Sequence, residues 1–124
     1  MNPEVLINRA KEVVGEFELS EGYSAGCVGS ALMTKSGNVY TGICIDLACG
    51  IGFCAEHAAI AEMLKARETE IEMIVAVCEE RILPPCGRCR EMIVQVNPNN
   101  AHTKVIVAED SIMTLDELLP VRWM

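Results

Sequence analysis

The chain has 124 residues, a formal net charge of −8 at neutral pH and an apolar content of 51%. This length predicts one domain over residues 1–124. Ten Lys and Arg residues against eighteen Asp and Glu residues argue against a nucleic-acid partner, because polyanion binding needs clustered cations. No apolar run reaches the ~18 residues of a membrane span. The N-terminus has no basic segment before an apolar one, so neither a signal peptide nor a membrane partner is predicted.

The predicted helices and strands alternate along the chain. Asn2-Pro3-Glu4 places a cap residue, a first-position proline and an acid where a helix begins. The apolar residues that continue this helix at helical spacing are Leu6, Ala10, Val13 and Phe17. A hairpin follows, with strands over 27–34 and 39–45. The later predicted elements are a helix over 54–67, a strand over 71–78, a helix over 86–96, a strand over 104–108 and a short helix over 114–119. This alternation favours an α/β layered domain.

Two cysteine motifs carry the chemistry, Cys54-Ala55-Glu56-His57 and Pro85-Cys86-Gly87-Arg88-Cys89. Cys86 and Cys89 are three positions apart, so one helical turn points both sulfurs at one ion. The fold has to bring Cys54 to them. Three thiolates supply three ligands of a tetrahedral zinc, and a catalytic zinc keeps its fourth position for water. Glu56 is too close to Cys54 in sequence to be a convenient ligand, and it is instead placed to move the protons of that water.

The cysteines outside these motifs carry less information. The total of seven is odd, and with no export signal it indicates a reducing compartment and a cytoplasmic location. Cys27 and Cys78 lie in apolar strand-like segments and are predicted to be ordinary buried residues. Cys49 lies in a loop-like stretch and is assigned no role.

The sequence Cys54-Ala55-Glu56 followed by Pro85-Cys86-Gly87-x-Cys89-Arg90 resembles the cytidine deaminase superfamily, and within it the small cytidine deaminases and the blasticidin S deaminases. Val28-Gly29-Ser30-Ala31-Leu32 is similar to a strand of that family, and Leu118-Leu119-Pro120 is similar to its C-terminal segment. The resemblance implies a three-layer α/β/α domain with a mixed sheet, one Zn²⁺ per chain and a homotetramer. It also implies hydrolytic deamination of an aminopyrimidine nucleoside, with cytidine and deoxycytidine as the first candidates and ammonia as a product.

The resemblance also implies roles for the residues of the motifs. The three motif cysteines correspond to the zinc ligands, and Glu56 corresponds to a carboxylate that takes part in every proton transfer. The backbone N–H of Ala55 corresponds to the group that holds the pyrimidine carbonyl oxygen. Arg90 directly follows the last ligand, and it is predicted to hydrogen-bond a thiolate and to offset part of the charge of the site.

His57 departs from the family pattern, since the cytidine deaminases carry Arg at this position. The blasticidin S deaminases also lack that Arg, and Glu91 favours the same branch, so a modified cytosine nucleoside is an alternative substrate. Cys54-x-x-His57 with Cys86-x-x-Cys89 is also a plausible structural zinc set. In that set His57 would occupy the fourth position of the zinc, so no water could bind there and the protein would not be an enzyme. The remaining interpretation of His57 is a satisfied residue beside the ligands.

The strand over 39–45 and its end depart from the family pattern as well. Family members hold the ribose with an Asn and a Glu and stack the base on a Phe, and alignment places Cys44, Asp46 and Gly26 at these positions. Cys44 and Asp46 are therefore candidate substrate-binding residues. Their difference from the family's Asn and Glu should change which substrate the protein accepts, because unpaired polar groups discriminate strongly between analogues. The alternatives are a buried strand residue for Cys44 and a turn acid for Asp46. Phe53 and Trp123 are the candidates for stacking on the base.

Overall fold

A computed structural model describes residues 2–124, in which helices cover both faces of one β-sheet. The helices are α1 (Pro3–Lys11), α2 (Ala55–Lys65), α3 (Gly87–Val96), a 3₁₀ helix (Pro98–His102) and α4 (Leu115–Leu118). The strands are β1 (Phe17–Glu18), β2 (Ser24–Thr34), β3 (Val39–Asp46), β4 (Ile71–Val77), β5 (Ile82–Leu83), β6 (Lys104–Ala108) and β7 (Ser111–Thr114). Within residues 2–124, no helix is both long enough and apolar enough to cross a membrane.

The sheet is mixed, as predicted. β2 pairs antiparallel with β1, β3 and β4, β5 pairs antiparallel with β4, and β7 pairs antiparallel with β6. β4 and β6 pair in parallel, and a parallel pair needs a crossover connection, which here contains α3. This crossover places the beginning of α3, with Cys86 and Cys89, beyond the carboxyl end of β4.

Two hydrophobic cores lie on opposite faces of the sheet, because successive strand residues point to opposite faces. The core beneath α1 contains Leu6, Ile7, Ala10, Ala31, Met33, Met73, Val75, Val77 and Ile106. The core beneath α2 and α3 contains Leu32, Ile60, Met63, Ile74, Ile93, Val94 and Val105. The structure therefore has the predicted three-layer α/β/α arrangement. Both cysteine motifs belong to the helices that share one face.

The first helix is shorter than predicted. It ends at Lys11, and the chain then turns so that the N–H of Gly15 donates to the carbonyl oxygen of Gly26 at 2.8 Å. Phe17 lies in β1, where it pairs with Ala25 of β2 and is 51% exposed. Its predicted place on a buried helix face is therefore wrong. The helical spacing continued past the end of the helix, but glycine weakens a helix and strand pairing offers the backbone other partners.

Asn100 connects several elements around the core beneath α2 and α3. Its side chain is 1% exposed. Its Oδ1 accepts a hydrogen bond from the N–H of Ile71 at 2.8 Å, and its Nδ2 donates to the carbonyl oxygens of Thr69 and Ile93 at 3.0 Å each. One buried amide thus links the beginning of β4, the last turns of α3 and the 3₁₀ helix.

Replacing Asn100 with Ala should lower the free energy of unfolding by about 2–4 kcal/mol, because buried main-chain groups lose their hydrogen-bond partner. Urea unfolding at a fixed metal content measures this change. Asn99→Ala is the matched control, since Asn99 is exposed in the same 3₁₀ helix. The control should alter stability by less than about 0.5 kcal/mol. Equal losses in the two variants would contradict the role given to the Asn100 side chain.

Candidate functional site

Three cysteine sulfurs meet where α2 and α3 begin. Cys54 immediately precedes α2, Cys86 immediately precedes α3, and Cys89 lies in the first turn of α3. The sulfur of Cys86 lies 3.6 Å from that of Cys54 and 3.5 Å from that of Cys89. All three sulfurs lie within 4.8 Å of one another. The structure brings together the three cysteines of the two sequence motifs, although they come from separate helices.

The spacing of these sulfurs suits a tetrahedral metal ion. A Zn–S distance of about 2.3 Å separates two sulfurs of a tetrahedral site by about 3.8 Å, close to the 3.5 and 3.6 Å between these sulfurs. Cys89 is fully buried, Cys54 is half-buried and Cys86 is exposed, so one side of the cluster is open. The donor set therefore fits zinc with three protein ligands and one free position.

Burial and the two helix ends act in opposite directions on the charge of the cluster. The positive ends of α2 and α3 both lie at the sulfurs, and such helix ends favour negative charge. Burial raises the pKa of the Cys54 and Cys89 thiols. Burial acts in the same direction on Cys86, but hydrogen bonds from the backbone N–H groups of Cys89 and Arg88 help to outweigh it and lower the pKa of that thiol. Since burying unpaired charge is costly, three neighbouring thiolates need a positive ion between them.

Glu56 lies in the first turn of α2 and lines the same cavity as Cys54 and Cys86. Only 5% of its surface is exposed. Burial raises the pKa of its carboxyl group, and its own backbone N–H and Cys89 oppose this shift in part. A carboxyl group whose pKa moves toward neutrality can both take up and release a proton near the working pH of most enzymes.

His57 occupies the same turn but does not join the sulfur cluster. Its Nε2 is buried and has no hydrogen-bond partner within residues 2–124, and the role of His57 beside the ligands stays a prediction. Burial, together with the positive charge of Arg88, lowers the pKa of the imidazole and keeps it neutral at pH 7. Among the described residues, the metal-ligating atoms that gather within 4.8 Å here belong to the three cysteines alone. This geometry does not favour a site closed by His57.

A cavity of about 460 Å³ opens beside the cluster. Seven residues that the sequence predicts to belong to the site line this cavity. They are Cys44, Asp46, Phe53, Cys54, Ala55, Glu56 and Cys86. Lining residues to which the sequence gives no role in substrate binding include Cys27, Val28, Leu83, Pro84 and Arg88. A cavity of this size, with a largely apolar wall and a few converging polar groups, suits a small molecule.

A short β-bridge holds one wall of the cavity in place. Ile45 and Phe53 exchange two backbone hydrogen bonds of 3.0 Å each, which tie the end of β3 to the beginning of α2. Gly52 lies against this bridge, and a Cβ atom there would stand 2.2 Å from the carbonyl oxygen of Ile45. The close approach requires glycine, and it brings Asp46 and Cys54 to the same cavity.

Arg90 makes different contacts from the predicted one. Its Nε donates to the carbonyl oxygen of Pro85 at 2.8 Å, and its Nη1 donates to that of Leu118 at 3.0 Å. The predicted hydrogen bond to a thiolate is therefore replaced by two bonds to main-chain oxygens. The planar guanidinium has several donors in a fixed fork, and here the fork joins the loop before Cys86 to α4.

Cys27 also differs from its prediction as an ordinary buried residue. It is half-buried and lines the cavity. Burial, with the neighbouring Cys44 and Asp46, raises the pKa of its thiol to about 12. β2 bulges between Ala25 and Gly29, and such a bulge re-aims the side chains of its strand. No periodic pattern of apolar residues in the sequence indicates that Cys27 lies on the cavity wall.

The two candidates for stacking on the base, and the position of Gly26 that aligns with the family's Phe, have separate places in the structure. Phe53 lines the cavity. Gly26 has no side chain that could stack on a base, and it lies at the bulge of β2 with a φ of 87°. Trp123 is 83% exposed, and its backbone N–H donates to Oε1 of Glu91 at 3.0 Å. Phe53 is thus the aromatic candidate that the fold brings to the cavity wall.

Known proteins resemble this chain over most of its length. The family model for the cytidine and deoxycytidylate deaminase zinc-binding region matches residues 3–108, which include both cysteine motifs. A cytidine deaminase of Halalkalibacterium halodurans is 35% identical over 104 residues, covering 79% of this chain and 77% of that protein. A blasticidin-S deaminase of Bacillus cereus is 28% identical over 106 residues, covering 77% of this chain and 76% of that protein.

The fold is similar to a solved structure as well. The crystal structure of cytidine deaminase from Mycobacterium tuberculosis superposes with a TM-score of 0.84. The superposition covers 100% of this chain and 98% of that one, at 22% sequence identity. This likeness shows that the three-layer arrangement and the mixed sheet are those of a known fold.

Proposed function

Since the chain belongs to the cytidine and deoxycytidylate deaminase family, we propose that it is a zinc-dependent hydrolase that deaminates an aminopyrimidine nucleoside. Cytidine and deoxycytidine are the first candidates, which would give uridine or deoxyuridine and ammonia. The observation that carries the proposal is the carboxyl group of Glu56, which is buried in the cavity wall beside the cysteines. A purely structural metal site has no need of such a group.

Cys54, Cys86 and Cys89 would hold one Zn²⁺ per chain. The donor set supports this assignment, because sulfurs separated by 3.5 and 3.6 Å fit three corners of a tetrahedral ion and leave the fourth open. When bound, such an ion lowers the pKa of a water molecule from about 15.7 to roughly 7 and so supplies a nucleophile at neutral pH. Arg90 would steady the ligand loop, since it binds the carbonyl oxygen of Pro85.

Glu56 would carry the protons of the reaction. Its carboxylate takes a proton from the attacking water and gives it to the ring nitrogen beside the amino-bearing carbon. It then passes the second proton of the water to the leaving amine, so that ammonia departs and a carbonyl remains. The raised pKa of the Glu56 carboxyl group suits a residue that must bind and release protons in turn. The backbone N–H of Ala55 would donate to the carbonyl oxygen of the pyrimidine.

Cys44 and Asp46 would contact the part of the substrate beyond the ring, and Phe53 would stack on the ring. All three line the cavity. A carboxylate accepts hydrogen bonds and a thiol donates them only weakly. This wall therefore suits a substrate that carries hydrogen-bond donors. A blasticidin S-type or other modified cytosine is the second candidate. The Bacillus cereus relative and the presence of His57 and Glu91 support it.

We also propose that the protein is a homotetramer of single-domain chains in the cytoplasm. Val121, Trp123 and Met124 are large apolar residues with exposed fractions of 85, 83 and 76%. A group of exposed apolar side chains of this kind favours burial against another subunit.

Ammonia release by the zinc-loaded protein tests the proposed function. Cytidine, deoxycytidine, cytosine and blasticidin S are compared at equal concentration. Turnover of cytidine or deoxycytidine would support the first candidate, and turnover of blasticidin S alone would support the second. If none of the four releases ammonia while zinc stays bound, this deaminase assignment is wrong.

Zinc retention by His57→Ala separates the enzyme from a structural site closed by histidine. We expect the variant to keep its zinc, because His57 lies outside the sulfur group. The zinc-to-protein ratio after desalting against a weak chelator is the measurement. His102→Ala is the matched control, since His102 is the second histidine of the chain and is exposed. Loss of zinc in His57→Ala alone would favour the structural site.

A further inference from the structure

A second group of sulfur and oxygen ligands lies on the cavity wall. Cys27 in β2 and Cys44 in β3 place their sulfurs 3.5 Å apart. Oδ2 of Asp46 lies 3.5 Å from the sulfur of Cys27 and 3.7 Å from the sulfur of Cys44. We call Cys27, Cys44 and Asp46 the wall cluster. Its residues are distinct from the three cysteines of the motifs, but Cys54 and Cys86 of those motifs line the same cavity.

The distances within the wall cluster match those of a metal site. With Zn–S of about 2.3 Å and Zn–O of about 2.1 Å, a tetrahedral ion separates two sulfurs by about 3.8 Å and a sulfur from an oxygen by about 3.6 Å. The wall cluster has 3.5 Å between its sulfurs and 3.5 and 3.7 Å between sulfur and oxygen. Its three ligand atoms thus lie at spacings that one ion can span.

The backbone fixes this arrangement through the bulge of β2. Ala25 pairs with Ile45 and Gly29 pairs with Ile43, so the three residues 26–28 stand opposite Cys44. The conformation depends on Gly26, since its φ is 87° and a Cβ atom there would stand 2.5 Å from the carbonyl oxygen of Gly15. The position of Cys27 beside Cys44 is therefore set by strand geometry.

The surroundings of the wall cluster favour a positive ion. The N–H of Val28 donates to the sulfur of Cys44 at 3.3 Å, and a donor aimed at sulfur supports the negative charge of a metal-binding thiolate. Among the described residues that line the cavity, the carboxylates are Asp46 and Glu56 and the one cation is Arg88. Thiolate ligands select soft ions such as zinc over magnesium or calcium.

We propose that the wall cluster is a second metal site, which binds a thiophilic cation such as Zn²⁺ or Cd²⁺ through Cys27, Cys44 and Asp46. All three of these residues line the cavity. An ion held there occupies the wall that the substrate would contact, so zinc above one equivalent should inhibit turnover. That inhibition rests on the proposed function, whereas binding of the ion does not.

Metal stoichiometry of the whole protein tests this site directly. The protein is stripped of metal, kept reduced and anaerobic, and titrated with Cd²⁺, whose bonds to thiolates absorb in the ultraviolet. We expect two equivalents per chain for the unchanged protein and one for Cys27→Ser/Cys44→Ser. Asp46→Asn keeps both thiols and should weaken the second equivalent at least tenfold without affecting the first.

Cys49→Ser is the matched control, since Cys49 is an exposed cysteine outside both groups, and it should bind two equivalents. Circular dichroism verifies that each variant is folded before its stoichiometry is compared. A single equivalent in the unchanged protein, or two equivalents in the folded double variant, would overturn the proposal. Both outcomes are independent of ammonia release, so they leave the deaminase assignment to its own test.

Discussion

Replacing Glu56 with Gln should lower kcat for ammonia release by about 10⁴-fold or more, the upper end of the range for a general acid–base residue. Glu56 takes part in each proton transfer of the proposed reaction, and the amide of Gln neither takes up nor releases a proton at neutral pH. The zinc content should not change, because all three sulfurs remain. Steady-state ammonia release and metal analysis of the same sample measure the two quantities.

Glu62→Gln is the matched control for this experiment. Glu62 lies on the same helix, α2, but is exposed and forms a surface ion pair with Lys65 at 3.3 Å. Such pairs contribute about 0–1 kcal/mol to stability, so the control should keep its activity. A Glu56→Gln protein that remains active, or that is inactive only because it has lost zinc, would remove Glu56 from the catalytic role.

Replacing Gly42 with Ala should destabilise the protein by about 1–3 kcal/mol, the usual cost of overpacking, and should also lower activity. A Cβ atom on Gly42 would stand 2.4 Å from the backbone nitrogen of Ala59 and 2.8 Å from the carbonyl oxygen of Ala55. These are backbone atoms of α2, so the helix has to move away from β3. Because α2 carries Glu56, even a shift of about 1 Å can cost about 10²-fold in rate.

Gly15→Ala is the control for the Gly42 variant. A Cβ atom on Gly15 meets no other atom within 4 Å, and the residue is exposed. Urea unfolding at fixed zinc and the kcat for the best substrate are measured for both variants. If Gly42→Ala matches Gly15→Ala in stability and in rate, the close packing of α2 on β3 does not position the site.

The local features of the site could be predicted because they depend on neighbours in sequence. Pro84 and Pro85 stop a strand and precede a helix, and the spacing of Cys86 and Cys89 places two sulfurs on one helical turn. The alternation of helices and strands also predicted the layered α/β arrangement. The meeting of Cys54 with the other two sulfurs needed the resemblance to a family, since residue patterns alone do not fix a contact between two helices.

Other features depend on partners that sequence patterns do not identify. Phe17 continues the helical spacing of α1, but its backbone pairs with Ala25 in β1. β5 and β7 have only two and four residues, too few to show a period. Arg90 reaches the carbonyl oxygen of Leu118, 28 positions away. Each of these outcomes is decided by tertiary packing, which overrides local preference.

The sulfurs at the beginning of α2 and α3 come from positions 32 residues apart, Cys54 and Cys86. The chain between them contains β4, which pairs with β2, β5 and β6. An ion bound by both cysteines would therefore close a loop of the chain that contains this strand. In a simple loop model, such a cross-link lowers the conformational entropy of the unfolded chain and so raises its free energy by about 3–4 kcal/mol. The ion that serves the reaction would then also hold the central strand of the sheet in place.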